Sequence, residues 1–348
     1  MRKIITPVKG TRDFYPDLMA VRTWLYDNLR KVSESFGYQE YEAPFLETLA
    51  LYAAKSGEEL VKEQSYVFED RSGDSIALRP ELTPSLARMI AQKENELTFP
   101  VRWWSFGPFW RYERPQKGRT REFFQWNVDL LGVNSPEADA ELIAVAASFF
   151  KRVGLKPDQS RIYVNNRRLM ESQFTRLGFT RDMHPVVSNI VDRRSKLGAD
   201  KWNAYALEEG LTNDQLVDLK NLLDNKNIWH ESDELVRLFA TLKALNVCDF
   251  VEFDANIMRG LLADEFMRDY LRVNDYEGKT WFGKESYETA LMLLMLEGVM
   301  EILAQVNIPR KTMISRLEKL ANYNKVFKNA AQASGYDLKI FLEKLNQS

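Results

Sequence analysis

Residues 109–132, FWRYERPQKGRTREFFQWNVDLLG, constrain the fold more than any other stretch of the chain. Two aromatic-rich runs flank a basic loop, Arg114–Thr120, and each run alternates with the period of two that a strand imposes. On the second run Glu122, Phe124, Trp126, Val128 and Leu130 share one side of the pleat. Arg121, Phe123, Gln125, Asn127 and Asp129 share the other. On the first run Trp104, Phe106, Pro108, Trp110 and Tyr112 lie on one face, with Phe109, Arg111 and Glu113 opposite. Paired antiparallel, the two strands turn one face to a core and gather arginines, carboxylates, an amide and an aromatic plate on the other. A solvated sheet face can be polar for no further reason. This mixture is more specific: paired guanidiniums suit phosphate, a Phe face suits a purine, and Gln with Asp suits a small ammonium-bearing ligand.

Bulk properties narrow the remaining classes. At 348 residues and 45% hydrophobic content the chain can bury a large core and divides into two or three units. A net charge of −2 excludes a generic polyanion binder, although Arg102, Arg111, Arg114, Lys117, Arg119 and Arg121 crowd the hairpin. One cysteine, Cys248, rules out an internal disulfide framework and a multi-cysteine zinc site. The two histidines, His184 and His230, read as surface or helix-end residues, so no metal site is expected from protein side chains alone. The N-terminus has no apolar run suited to secretion, and Glu297 and Glu301 interrupt the apolar stretch Ala290–Leu296 well short of the roughly 20 residues of a membrane span. The expected location is the cytoplasm.

Periodicity predicts helices over Leu18–Phe36, Phe45–Ala53, Pro84–Gln92, Ser135–Val153 and Arg167–Leu177. Strands are predicted at Tyr38–Pro44, Tyr66–Glu69, Ile76–Leu78, Arg161–Val164 and Val251–Met258, the last re-entering the core sheet. From Phe179 to Val247 the pattern is helical throughout. The expected architecture is therefore α+β: an antiparallel sheet with flanking helices over residues 1–178, a helical insertion over 179–248, a strand returning at 249–261, and a helical C-terminal tail over 262–348.

The hairpin, with its RYE strand, RPQKGR loop and EFFQW strand, resembles the second class-defining motif of histidyl-tRNA synthetases, which are class II aminoacyl-tRNA synthetases. Three further segments support the resemblance in the right order. They are VKGTRDFYPD (Val8–Asp17), GYQEYEAPFLE (Gly37–Glu47), which is similar to the first motif, and LRPELTPSLAR (Leu78–Arg88), similar to the amino-acid-binding segment. ANIMRGL (Ala255–Leu261) adds a shorter match, and the resemblance stops near Gly260.

The resemblance implies a ligase activity in which the carboxylate of histidine attacks the α-phosphate of ATP. Histidyl-adenylate and pyrophosphate form, and the acyl group then passes to tRNA. It implies Arg111 and Arg259 as the catalytic pair gripping the α-phosphate. Arg121 is implied as a γ-phosphate contact, Phe123 as the plate for adenine, and Glu113 as holder of the adenine amino group or of Mg2+. Glu81 and Thr83 would receive the α-amino group of histidine with Gln125 nearby, and Asp129 would accept a hydrogen bond from the imidazole. Arg111 and Arg259 also border the histidine. ATP with Mg2+ is the implied cofactor, and homodimerisation is implied by the first motif.

After Leu261 the expected paired tyrosines, glycine-rich strand, third motif and anticodon-binding domain are not legible. Leu262, Ala263 and Asp264 follow instead. Tyr270, Tyr276-Glu277-Gly278 and Trp281-Phe282 faintly resemble a helical tail of some bacterial α-amylase-family proteins. Because Lys and Arg in this tail are nearly balanced by acids, tRNA binding is expected to be weak and indifferent to the anticodon. Two alternatives stay open beside the ligase. One is a non-catalytic, histidine-binding regulatory paralogue, like the regulatory subunit of ATP phosphoribosyltransferase; the other is an inactive chimeric product.

Overall fold

The structure is a computed structural model, and residues 5–53, 65–112 and 120–258 are described. The elements run α1 (Pro16–Ser35), β1 (Gln39–Glu40), β2 (Leu46–Thr48), α2 (Leu49–Ala53), β3 (Tyr66–Glu69), β4 (Ser75–Leu78) and α3 (Thr83–Lys93). The hairpin β5 (Val101–Trp110) and β6 (Glu122–Leu131) follows, then α4 (Pro136–Arg152), β7 (Ile162–Val164) and α5 (Arg167–Arg176). Four helices, α6 (His184–Arg193), α7 (Ala199–Glu208), α8 (Asn213–Asp224) and α9 (Asp233–Ala244), lead to β8 (Val251–Phe253).

The hairpin organises the main core. Its strands pair antiparallel from Val101–Leu131 to Trp110–Glu122, so the two faces expected from alternation are realised. Trp104, Trp126 and Val128 point into a cluster built by Leu25, Leu29 and Val32 of α1 and by Ile143, Ala144 and Ala147 of α4. Small residues at Ala140, Ala144 and Ala147 let α4 lie close to the sheet. The indole N–H of Trp126 is not stranded: it donates to Ser33 Oγ at 3.1 Å. α4 begins where its sequence says it should, with Ser135 accepting from the Ala138 N–H, Glu137 and Asp139 in the first turn, and Lys151 and Arg152 in the last. β1 adds to β5 in parallel, and β4 sits between β2 and β3 in a separate antiparallel sheet.

Several expectations change. The strand predicted over Tyr38–Pro44 is regular only at Gln39–Glu40, because the next residues leave the ladder to place Tyr41, Glu42 and Ala43 against the hairpin. The helix predicted over Phe45–Ala53 is a strand in its first half: Leu46, Glu47 and Thr48 pair with Leu78, Ala77 and Ile76. Cross-strand pairing overrides the weak local helical pattern there. The returning strand is three residues long and pairs in parallel with β7, not with the hairpin. Val251 still packs into the main cluster, while Phe253 faces the next one.

That second cluster is the helical unit. It draws Leu169, Met170 and Phe174 of α5 together with Val187, Ile190, Trp202 and Leu219, with Phe253 of β8, and with Ala255 and Met258 after it. α9 joins the units, giving Leu235 to this cluster and Leu238 and Leu242 to the main one. Both histidines pack against aromatic rings: His184 begins α6 edge-on to Phe174 and His230 stacks on Trp229. Among the described residues no helix is long and apolar enough to cross a membrane. Glu113, the loop tip, Arg259 and the tail from residue 262 lie outside the described residues.

Candidate active site

The polar face of the hairpin is roofed by the segment joining β4 to α3. Arg79 is its anchor, and its side chain is fully buried. Nε donates to the Pro108 carbonyl at 3.0 Å, and Nη1 donates to the Ala43 carbonyl at 3.0 Å and to the Glu42 carboxylate. The guanidinium lies between the rings of Phe45 and Phe109, each 4.5 Å from its carbon. A buried charge is tolerable only when paired and hydrogen-bonded; here oxygens serve Nε and Nη1 and aromatic faces cover the plane, while Nη2 has no hydrogen-bond partner among the described residues. Main-chain bonds complete the join. Trp110 N–H donates to the Arg79 carbonyl at 3.1 Å, and Arg79 N–H donates to Phe45 O at 2.9 Å.

This anchoring positions Arg111. Its Nε donates to the Pro80 carbonyl at 3.1 Å, and its guanidinium carbon sits 5.0 Å from the Phe123 ring centre. One guanidinium edge is thus fixed by main chain and one flat side by an aromatic ring, which orients the remaining donors as a fork. Phe123 in turn stacks near Phe109, its cross-strand partner, at 6.0 Å. Glu81 follows Pro80 directly, and Thr83 opens α3 just ahead of Pro84. Gln125 lies opposite Gly107 and Asp129 opposite Trp103, on the same face as Phe123.

Arg121 stands at the outer end of this face, its guanidinium 4.1 Å from the centre of the exposed Tyr112 ring. The N-terminal segment holds it there: both Arg121 N–H and Glu122 N–H donate to the Gly10 carbonyl, at 3.0 and 3.1 Å. Gly10 has a φ of +90°, and a Cβ there would lie 2.8 Å from Arg121 Cγ. Glycine is required at that position for conformation and for space.

The Asp129 carboxyl is strongly perturbed. Burial pushes its pKa up to about 7 from the ordinary carboxylate range, and the hydroxyl of Tyr41, donating to Oδ2 at 3.1 Å, opposes that shift. A folded-state value above the unfolded one means that the native state holds this proton more tightly. Its contribution to stability is therefore present in acid and is lost as pH rises from about 4 through about 7. At neutral pH the group is poised to trade a proton for a cationic or N–H-bearing partner.

The arrangement can grip an anion, seat a planar ring and present carboxylates to an amine on one face. A family model described as histidyl-tRNA synthetase matches residues 10–298. The chain belongs to the histidyl-tRNA synthetase family. The match continues past Leu261, where the motifs read from the sequence stop.

Histidine–tRNA ligases are among its relatives. The chloroplastic/mitochondrial enzyme of Arabidopsis thaliana is 37% identical over 267 residues, covering 74% of this chain and 55% of that protein. That of Leptospira biflexa is 35% identical over 263 residues, covering 72% of this chain and 60% of the relative. That of Haloarcula marismortui is 43% identical over 205 residues, 59% of this chain and 47% of the relative. The chain thus spans about half to three fifths of the length of the curated relatives it matches. Among solved structures, a histidyl-tRNA synthetase from a Nostoc species superposes with a TM-score of 0.65 at 24% identity, covering 75% of this chain and 63% of that one. A Bacillus halodurans protein described as an ATP phosphoribosyltransferase regulatory subunit/histidyl-tRNA synthetase gives 0.62 at 20% identity, covering 74% and 70%. These likenesses establish the class II synthetase-like α+β fold.

Of the residues proposed from sequence, Arg111, Phe123, Gln125 and Asp129 share the hairpin face and Glu81 and Thr83 lie in its roof; Arg121 stands at its rim. Sequence reading missed Arg79, Pro80, Gly107 and Tyr41. One signal was available: Gly107 interrupts an aromatic-rich strand, and a glycine inside a strand marks close approach by another group. That group is Arg79.

Proposed function

We propose that this core activates histidine with ATP. The observation that carries the reading is Arg111, fixed by the Pro80 carbonyl just ahead of Glu81 and by the Phe123 ring, on the hairpin face that also carries Gln125 and Asp129. A carboxylate oxygen of histidine attacks the α-phosphorus of ATP, and the bond to pyrophosphate breaks. The acyl group then passes to a hydroxyl at the tRNA 3′ end with release of AMP. The nucleophile is already an anion, so the work of the site is positioning and neutralising charge. Arg111 offers its fork to the α-phosphate, and adenine stacks on the Phe123 ring. Arg121, at the rim, meets the γ-phosphate. Glu81, Thr83 and Gln125 take the α-ammonium group, and Asp129 takes an imidazole N–H. Glu113 and Arg259 complete the set in the family pattern, and both lie outside the described residues. Mg2+ accompanies ATP.

Histidine-dependent exchange of labelled pyrophosphate into ATP tests this reading. Exchange with histidine and with no other amino acid is the expected result. Histidine binding without exchange would support the regulatory reading instead. Phe123→Ala is expected to weaken ATP binding by about 1–3 kcal/mol, as loss of base stacking does; unchanged affinity by calorimetry would remove the stacking role. The chain is also proposed to act as a cytoplasmic homodimer through the Gly37–Glu47 region. Sedimentation should give a dimer at micromolar concentration, and a monomer would contradict it.

A further inference from the structure

We infer that Tyr41 is a specificity-positioning residue, whose hydroxyl holds Asp129 Oδ2 so that Oδ1 is presented to an N–H of the substrate ring. The inference rests on the histidine-activating reading and extends it to a residue outside the motif roles given above.

The geometry begins with the backbone. Tyr41 follows β1 directly, and its N–H donates to the Trp104 carbonyl at 2.9 Å, so the residue is tied to the same strand that pairs with Asp129. Its ring lies 5.3 Å from Trp103, the residue directly opposite Asp129 in the ladder. It also packs beside Leu86 and Ile90 of α3, and beside Val101. A ring held on three sides has little freedom, and its hydroxyl reaches Asp129 Oδ2 at 3.1 Å. The terminal torsion of an aspartate is broad and two-fold, so a carboxylate without a fixed donor samples several orientations. One donor on one oxygen removes that freedom and leaves the other oxygen's lone pairs directed away from the donor.

The chemistry agrees with the geometry. Burial and the neighbouring Asp129 hold the Tyr41 hydroxyl well above the usual phenol range, so it remains a donor throughout neutral pH. Among the described residues Tyr41 is the one donor to Asp129, and a buried carboxylate with one neutral donor has room for a ligand N–H. A ring lacking that N–H leaves the buried oxygen unpaired. That is how hydrogen-bonding sites reject close analogues.

Tyr41→Phe keeps the ring against Trp103 and removes only the hydroxyl. In pyrophosphate exchange the expected result is a rise of about tenfold in the KM for histidine with the KM for ATP unchanged, and reduced discrimination against histidines methylated on either ring nitrogen. A purely structural role would instead shift the two KM values together or lower the melting temperature without altering discrimination. Asp129→Asn supplies the second arm. It should raise the histidine KM on its own, and adding Tyr41→Phe to it should cost little more, because both changes act through one hydrogen bond. A silent Tyr41→Phe beside a defective Asp129→Asn overturns the inference and leaves the Asp129 role intact. A silent Asp129→Asn overturns that role and the inference with it. A wild-type chain that neither binds histidine nor supports exchange overturns both.

Discussion

Gly107→Ala is expected to destabilise the core by at least about 1–3 kcal/mol, the cost of overpacking where the neighbouring group has no room to move. The added methyl would overlap Arg79 Nη2 and lie 3.2 Å from Glu42 Oε2. An arginine tip usually swings aside at small cost. Here it is fully buried, held at Nε by Pro108 O and at Nη1 by Ala43 O, and lies between Phe45 and Phe109. Overpacking at a position that cannot relax costs about 1–3 kcal/mol before any pairing is lost. Displacement then separates the buried guanidinium from Glu42, whose own side chain is half-exposed, and breaks its bonds to the Ala43 and Pro108 carbonyls. Urea unfolding followed by tryptophan fluorescence measures the effect. Gly198→Ala is the control, since nothing lies within 4 Å of a Cβ there; it should change stability by less than about 1 kcal/mol. A Gly107→Ala cost as small as the control's would mean that Arg79 is not clamped as the contacts indicate.

The two sides of the hairpin were legible because strand periodicity is a local property. Alternation alone sorted Trp104, Trp126 and Val128 from Phe123, Gln125 and Asp129, and the register agrees residue by residue. α4 was legible for the same reason, with its cap, its early acids and its late bases all in one stretch of sequence. What stayed hidden depends on residues far apart in the chain. Arg79 reads as a charge at a strand end, and only folding brings the Ala43 and Pro108 carbonyls to it. Tyr41 reads as one residue of a strand, and its meeting with Asp129 spans 88 positions. Leu46–Thr48 carries a sequence that suits a helix or a strand, and pairing with β4 decides it. β8 was foreseen as a strand, but its partner was not, because parallel pairing with β7 leaves no local signature. The helical unit shows the same limit: Leu169, Met170 and Phe174 of α5 lie in its core although they precede the stretch that reads as helical insertion.

Arg111→Gln is expected to lower histidine-dependent pyrophosphate exchange by about 10²–10³-fold while the fold is kept. The side chain is poised by others: its Nε is satisfied by the Pro80 carbonyl and its plane rests on Phe123, so its outer donors need no reorganisation when phosphate charge shifts. Removing one preorganised donor from a site of developing oxyanion charge costs a factor of that size. Glutamine keeps a donor amide and much of the length but loses the positive charge and the fork. Arg111→Lys separates the two contributions. It restores the charge as a point without planar geometry, so an intermediate loss is expected if orientation matters as well as charge. The effect should appear chiefly in kcat, because the interaction strengthens as charge develops on the phosphate oxygens, with a smaller change in the KM for ATP. Stability should change little, because among the described residues Arg111 forms no ion pair with a carboxylate and stands beside the fully buried Arg79 clamp rather than within it. Circular dichroism melting beside the exchange assay checks this. Exchange within threefold of wild type in both variants would show that the α-phosphate is gripped from elsewhere and that the hairpin face serves binding alone.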